Sequence, residues 1–158
     1  MPRPTSRFMS RPLISASLML GGLLASAEVA AAQDASDPEN LQMMGRCQGC
    51  SFQQLDLHGR RMTGIDLSNS QLRDMEFNQA ALNIGIFDQA VLENVSFTSA
   101  NMKGVSFRGA RLVNVRFDDA NLQGADFEGA VMENTDLQAG LLCNTQMPDD
   151  TMDNSDCK

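Results

Sequence analysis

The sequence predicts an all-β fold made of very short strands repeated many times, and three observations carry that expectation. The first is a five-residue period. Steps of five from Phe52 to Met152 meet 21 positions, all of them Leu, Phe or Met, although those types supply only 36 of the 158 residues. The second is a companion column two residues earlier, which from Ala80 to Thr145 is always Ala, Val, Gly or Thr. The third is recurrence at longer spacings: Phe alternates with Leu or Met from Phe77 to Phe127, while Asn94, Asn114, Asn134 and Asn154 stand 20 residues apart.

A large and a small apolar residue with one polar residue between them are the two inward positions of a strand too short to hold a third. No helix buries positions five apart on one face. The other places of each quintet are mostly Asn, Asp, Gln, Ser, Gly, Glu or Arg, residues suited to solvent and turns. The ten-residue alternation places Phe on two opposite faces of a four-sided coil. The Asn series predicts a ladder at one corner, because Asn tolerates the left-handed conformation better than most residues. Gly104 with Gly124, and Gly109 with Gly129, mark other corners.

The quintets "ANMKG", "ANLQG" and "ADFEG" resemble the A-(D/N)-L-x-x unit of the pentapeptide-repeat family, and the resemblance runs from residue 50 to about residue 154. It implies a right-handed four-sided parallel β-helix, one quintet per face and 20 residues per coil. Coils stacked about 4.8 Å apart give a rod of about five coils.

The ends read differently. Arg3, Arg7 and Arg11 precede the apolar run "LISASLMLGGLLA", and Ala30 and Ala32 form an A-x-A pattern, with Ala25 and Ala27 as a second. Residues 1–32 are therefore expected to be a secretory signal peptide, cut after Ala32 or alternatively after Ala27, which directs the chain to the periplasm or outside if bacterial. Residues 33–49 are expected to hold a linker and a short N-terminal capping helix, with Asp37 as N-cap, Pro38 and Glu39 in its first turn and Gly45 as its stop. The repeat proper is assigned to residues 50–142. Residues 143–158, where Pro148 interrupts a quintet, are assigned to a closing cap.

After such a cut the chain keeps nine Lys plus Arg against nineteen Asp plus Glu. That balance disfavours nucleic acid and anionic membrane as partners. It also keeps all four Cys, and an even count in an exported chain predicts disulfides. In the solenoid Cys50 and Cys143 are more than four coils apart, about 20 Å, beyond the reach of a bridge. This leaves Cys47 with Cys50 and Cys143 with Cys157. Cys47-Gln48-Gly49-Cys50 has three readings: a structural clip, a thiol-disulfide redox pair, or half of a metal site.

The other chemical residues favour a structural reading. His58 is the single His and falls in an outward place. Asp56, Asp66, Asp126 and Asp136 occupy the Asp/Asn place of the family unit, where they serve turns and ladders. No phosphate loop or nucleophile elbow appears. The expectation is a protein that is not an enzyme and needs no cofactor or metal. It would act as an exported structural or protein-interaction module.

The outward apolar residues Val91, Val113 and Val131, with Arg111 between them, form the candidate patch for a protein partner. Ile84 and Ile86 lie at the preceding corner. A homodimer through a coil end is the self-association that the architecture allows. Two other readings stand beside this one: redox chemistry at Cys47 and Cys50, and the family's DNA-like topoisomerase protection. The acidity suits the latter, whereas the signal peptide and Arg108, Arg111 and Arg116 count against it.

Overall fold

The structure is a computed structural model and describes residues 45–158. Five three-residue strands, β1 (Ser51–Gln53), β2 (Gln71–Arg73), β3 (Val91–Glu93), β4 (Arg111–Val113) and β5 (Val131–Glu133), form one parallel sheet in sequence order. Each residue pairs with the one 20 positions on, as in Phe52 with Leu72 and Leu92 with Leu112. Three further faces are single parallel bridges at the same spacing: Asp56–Glu76–Ser96–Arg116–Asp136, Arg61–Ala81–Asn101–Asn121–Leu141, and Arg46–Asp66–Ile86–Ser106–Asp126–Gln146. Four faces per 20 residues make a four-sided parallel β-helix. The expected count of about five coils corresponds on the sheet face to five rungs, which enclose about four complete turns.

The core is the predicted pair of columns. Leu67, Leu72, Phe77, Leu82, Phe87, Leu92, Phe97, Met102, Phe107, Leu112, Phe117, Leu122 and Phe127 are fully buried, with Ala80, Ala90, Ala110 and Ala120 between them. Phe77, Phe97 and Phe117 stack at 5.1 and 5.4 Å, and Phe87, Phe107 and Phe127 at 4.9 and 5.0 Å. The two stacks meet edge to face, as Phe97 does with Phe107 at 6.0 Å. Ring separations close to the rung spacing show that each Phe lies over its counterpart one coil away.

The corners explain the polar places. Every fifth residue from Gln54 to Asn134 has positive φ. Where the occupant is Gly, Asn or Asp, the left-handed geometry costs little. At the corner after the sheet face, Asn134 Nδ2 donates to Asn114 Oδ1 (3.2 Å), Asn114 to Asn94 (3.0 Å) and Asn94 to Asp74 Oδ1 (3.0 Å). This is the predicted ladder without its last member. Asn154 instead accepts the Asn144 backbone N–H at 2.9 Å.

Gln54, Gln79, Gln89 and Ser99 also take this conformation, but Ile84 is the most strained of the corner residues. It is β-branched, has φ 53° and is 63% exposed. A β-branched side chain in this region is strained by about 1–2 kcal/mol. Its Cγ2 and Cδ1 lie over Gly104 and Gly64 of the same corner, so glycines above and below leave it room. Replacement Ile84→Asn is expected to raise stability by about 1 kcal/mol in chemical denaturation followed by circular dichroism. A loss of stability would mean that the contacts with Gly64 and Gly104 outweigh the strain.

The two ends differ from the sequence expectation. The proposed signal peptide and the helix from Asp37 lie outside the described residues. The segment 45–49, assigned to the cap, runs in the register of the repeat: Arg46 bridges Asp66, Cys47 N–H donates to Asp66 O and Gly49 N–H to Ser68 O, both at 2.8 Å. At the other end Met147 is half-buried, but Met152 is 50% exposed rather than inward. After β6 (Thr145–Gln146) the chain turns through Pro148 and left-handed Asp150, and β7 (Met152–Asp153) pairs antiparallel with β6. Reversal of direction takes Met152 out of the column although its spacing fits.

Candidate interaction face

The sheet of β1–β5 is the one face where the strands extend over three residues, and pleating sends their first and third side chains outward. Register places Val91, Arg111 and Val131 in one outward column, and Glu93, Val113 and Glu133 in the other. The four residues expected to form a patch are therefore brought together on three adjacent strands. Val91 and Val113 are half-buried, Arg111 is exposed and Val131 is 58% exposed.

The charges of this face neutralise one another. Arg73 Nε lies 3.1 Å from Glu93 Oε2, and Arg111 Nη2 lies 3.2 Å from Glu133 Oε2. Exposed pairs of this kind contribute at most about 1 kcal/mol each to stability. Their main effect is to leave three valines on a face of zero net charge. Ile84 and Ile86 do not join it, because Ile86 belongs to the Arg46–Gln146 face. Leu141, 51% exposed, was not singled out in the sequence, and Met152, 50% exposed, was expected to point inward. The signal for Leu141 was present: of the pair Leu141-Leu142 only the second falls on the five-residue period.

The acids hold turns. Asp56, Asp66, Asp126 and Asp136 each accept, through Oδ1, the backbone N–H two residues on, at 2.9, 3.1, 2.9 and 2.9 Å. That is the Asx-turn role expected of them. At Asp66 burial pushes the carboxyl pKa up, but hydrogen bonds from Ser68 and Gln48 and the charge of Arg46 outweigh it and hold the group below its usual value. Asp149 is lowered by Thr151, and Asp153 by Ser155 and Gln138. A carboxylate stabilised in its charged form is poorly suited to deliver or take a proton near neutral pH. The lone His58 is exposed.

The cysteines pair as expected, Cys47 with Cys50 (Cα–Cα 5.5 Å) and Cys143 with Cys157 (4.8 Å). Cys47 stands in the large inward column, five before Phe52, and Cys50 in the small one. A Cys-x-x-Cys spacing thus matches the separation between the large place of one quintet and the small place of the next. Ser70, fully buried, donates its Oγ–H to Cys47 O at 2.7 Å and accepts Cys50 N–H at 3.2 Å, which fastens this corner to the next coil.

The model of the family described as "Pentapeptide repeat region" matches residues 77–147. No curated protein matches the chain. Among solved structures it is similar to a trypsin-treated variant of QnrB1, a plasmid-mediated fluoroquinolone resistance protein, with 23% identity over 63% of this chain and 49% of that one and a TM-score of 0.42. It is also similar to HetL of the cyanobacterium Nostoc, a pentapeptide repeat protein involved in heterocyst differentiation regulation (23% identity, 68% and 51% covered, TM-score 0.34). A third is a pentapeptide repeat protein of the Arabidopsis thaliana thylakoid lumen (24% identity, 69% and 70% covered, TM-score 0.31). The chain spans about half the length of the first two. Together the family match over 77–147 and the quintet geometry from Arg46 to Gln146 show that this chain carries a pentapeptide repeat region.

Proposed function

We propose that the protein is an exported, non-catalytic rod whose sheet face of β1–β5 binds a protein partner. The supporting observation is that the face built from the three-residue strands β1–β5 has its four charges paired internally, with Val91, Val113 and Val131 between them. Such a surface can be covered by a partner without stranding an unpaired charge, which is the costly step in burying a polar interface. Export is supported by the signal-peptide pattern of residues 1–32 and by two disulfides, which persist in oxidising compartments. Its check is the N-terminus of the protein recovered from its native compartment, expected at Gln33 or Glu28. Recovery of the uncleaved chain from the cytosol would refute it.

A photo-cross-linking residue placed at Val131 should capture the partner, and the double replacement Val91→Glu, Val131→Glu should weaken that complex at least about tenfold, or 1.4 kcal/mol. Asn101→Glu, two faces away, should leave binding unchanged. Equal effects of the two changes would remove this face from consideration. The circular dichroism spectrum of both variants should match that of the parent, since all three positions point outward.

A further inference from the structure

We infer that Cys143–Cys157 is a reducible latch over the C-terminal coil end, distinct in behaviour from Cys47–Cys50. In the inner coils, the backbone donors of the large column and of the corner residue point to the next coil: Leu122 N–H to Leu141 O at 3.1 Å and Gly124 N–H to Cys143 O at 2.9 Å. One coil later Leu142 and Asn144 have no following coil. The tail supplies substitutes. Leu142 N–H donates to Asp156 Oδ2 and Asn144 N–H to Asn154 Oδ1, both at 2.9 Å, while Asp156 N–H returns a bond to Leu142 O at 2.9 Å. Two side chains of the tail thus stand where backbone carbonyls of another coil would lie.

This imitation is held on one side by the β6–β7 pair and on the other by the bond from Cys143, in the last coil, to Cys157. The two disulfides differ in access. Cys50 is 3% exposed and Cys47 half-buried, whereas Cys157 is exposed. A cavity of about 510 Å³ opens beside the bond, lined by Asn121, Gln123, Leu141, Cys143, Cys157 and Lys158. Thiol-disulfide exchange needs a thiolate to reach one sulfur, so the open bond reacts first. A dithiol attacks Cys157 Sγ as its thiolate, and Cys143 Sγ leaves and takes a proton. The second thiol of the reagent then displaces Cys157 Sγ, so that the reagent ends as a disulfide and the protein holds two thiols. With the tether cut, Asn154 and Asp156 are held by the two-residue β6–β7 pair and by their own hydrogen bonds alone. The N–H groups of Leu142 and Asn144 become an open coil end of the kind that accepts an added strand.

The test is titration of the full chain with dithiothreitol, with alkylation of freed thiols mapped by mass spectrometry and amide hydrogen exchange measured at each step. Cys143 and Cys157 should be alkylated while Cys47 and Cys50 remain paired. Exchange at Leu142 and Asn144 should accelerate about fivefold or more, with Leu92 and Leu112 unchanged. The variant Cys157→Ser should show the same acceleration without reductant. Reduction of Cys47–Cys50 first, or a smaller change at Leu142 and Asn144 in both the reduced protein and the variant, would overturn the latch.

Discussion

Replacement of Phe97 by Ala is expected to cost about 4 kcal/mol, a loss shared by Phe107, the other ring with four aromatic neighbours. Phe97 is fully buried and has four aromatic neighbours: Phe77 and Phe117 stacked at 5.1 and 5.4 Å, Phe87 and Phe107 edge-on at 5.9 and 6.0 Å. Its removal takes away the transfer term of a whole ring and leaves a void that neighbours fixed at rung spacing cannot fill. Each aromatic contact adds about 0.5–1.5 kcal/mol beyond burial.

Phe127 supplies the comparison. It is equally buried, but among the described residues its ring neighbours are Phe107 and Phe117 alone, at 5.0 and 5.8 Å, so Phe127→Ala should cost less. Guanidinium denaturation followed by far-ultraviolet circular dichroism measures both, since the chain has no Trp or Tyr. A solenoid is stabilised by contacts between neighbouring coils. The Phe97 variant should therefore also broaden the transition as the two halves of the rod lose coupling. Equal losses at the two positions would show that burial alone, without the ring stacks, sets the stability.

The core could be read in the sequence because its signal has a period that no other secondary structure shares. From Phe52 to Met147 each place on that period points inward, and the ten-residue alternation of Phe correctly gave two stacks. Disulfide pairing followed from the same ruler, since chain separation converts directly to height along a solenoid. The period is obscured where local motifs compete with it. Cys47 lies five residues before Phe52, yet Cys-Gln-Gly-Cys invited comparison with redox motifs and helix ends, and the segment was assigned to a cap. Met152 keeps the spacing but not the direction, because Pro148 lets the chain reverse into an antiparallel pair. The substitution of Asn154 and Asp156 for a missing coil has no spacing of its own. It depends on where the tail folds back, which a one-dimensional pattern does not encode.

The candidate face was partly legible for a related reason. A spacing of 20 residues aligns Val91, Arg111 and Val131, and also aligns Arg73 with Glu93, one of the two neutralising pairs. The other, Arg111 with Glu133, is offset by two further residues and crosses from one outward column to the other. Only the register of the sheet shows that both pairs lie among the valines.

The inward-outward alternation that underlies these readings makes its sharpest prediction at two adjacent residues. Ala110 is fully buried, in a column between Ala90 and Ala130, while Arg111 beside it is exposed. The coils above and below stand about 4.8 Å away, too close for a larger side chain to enter without moving backbone. Ala110→Leu is expected to cost about 3 kcal/mol through overpacking. Arg111→Leu should cost no more than about 1 kcal/mol, the loss of an exposed pair with Glu133. The same apolar residue is thus harmful at a position where the chain is already apolar and nearly neutral where it is charged, the reverse of what hydrophobicity alone dictates. Thermal and guanidinium denaturation of the two variants decides the matter. A tolerated Leu at 110 would mean that the small column is set by turn geometry at the corner, where Ala110 N–H bonds to Phe107 O at 3.0 Å, rather than by the volume between coils.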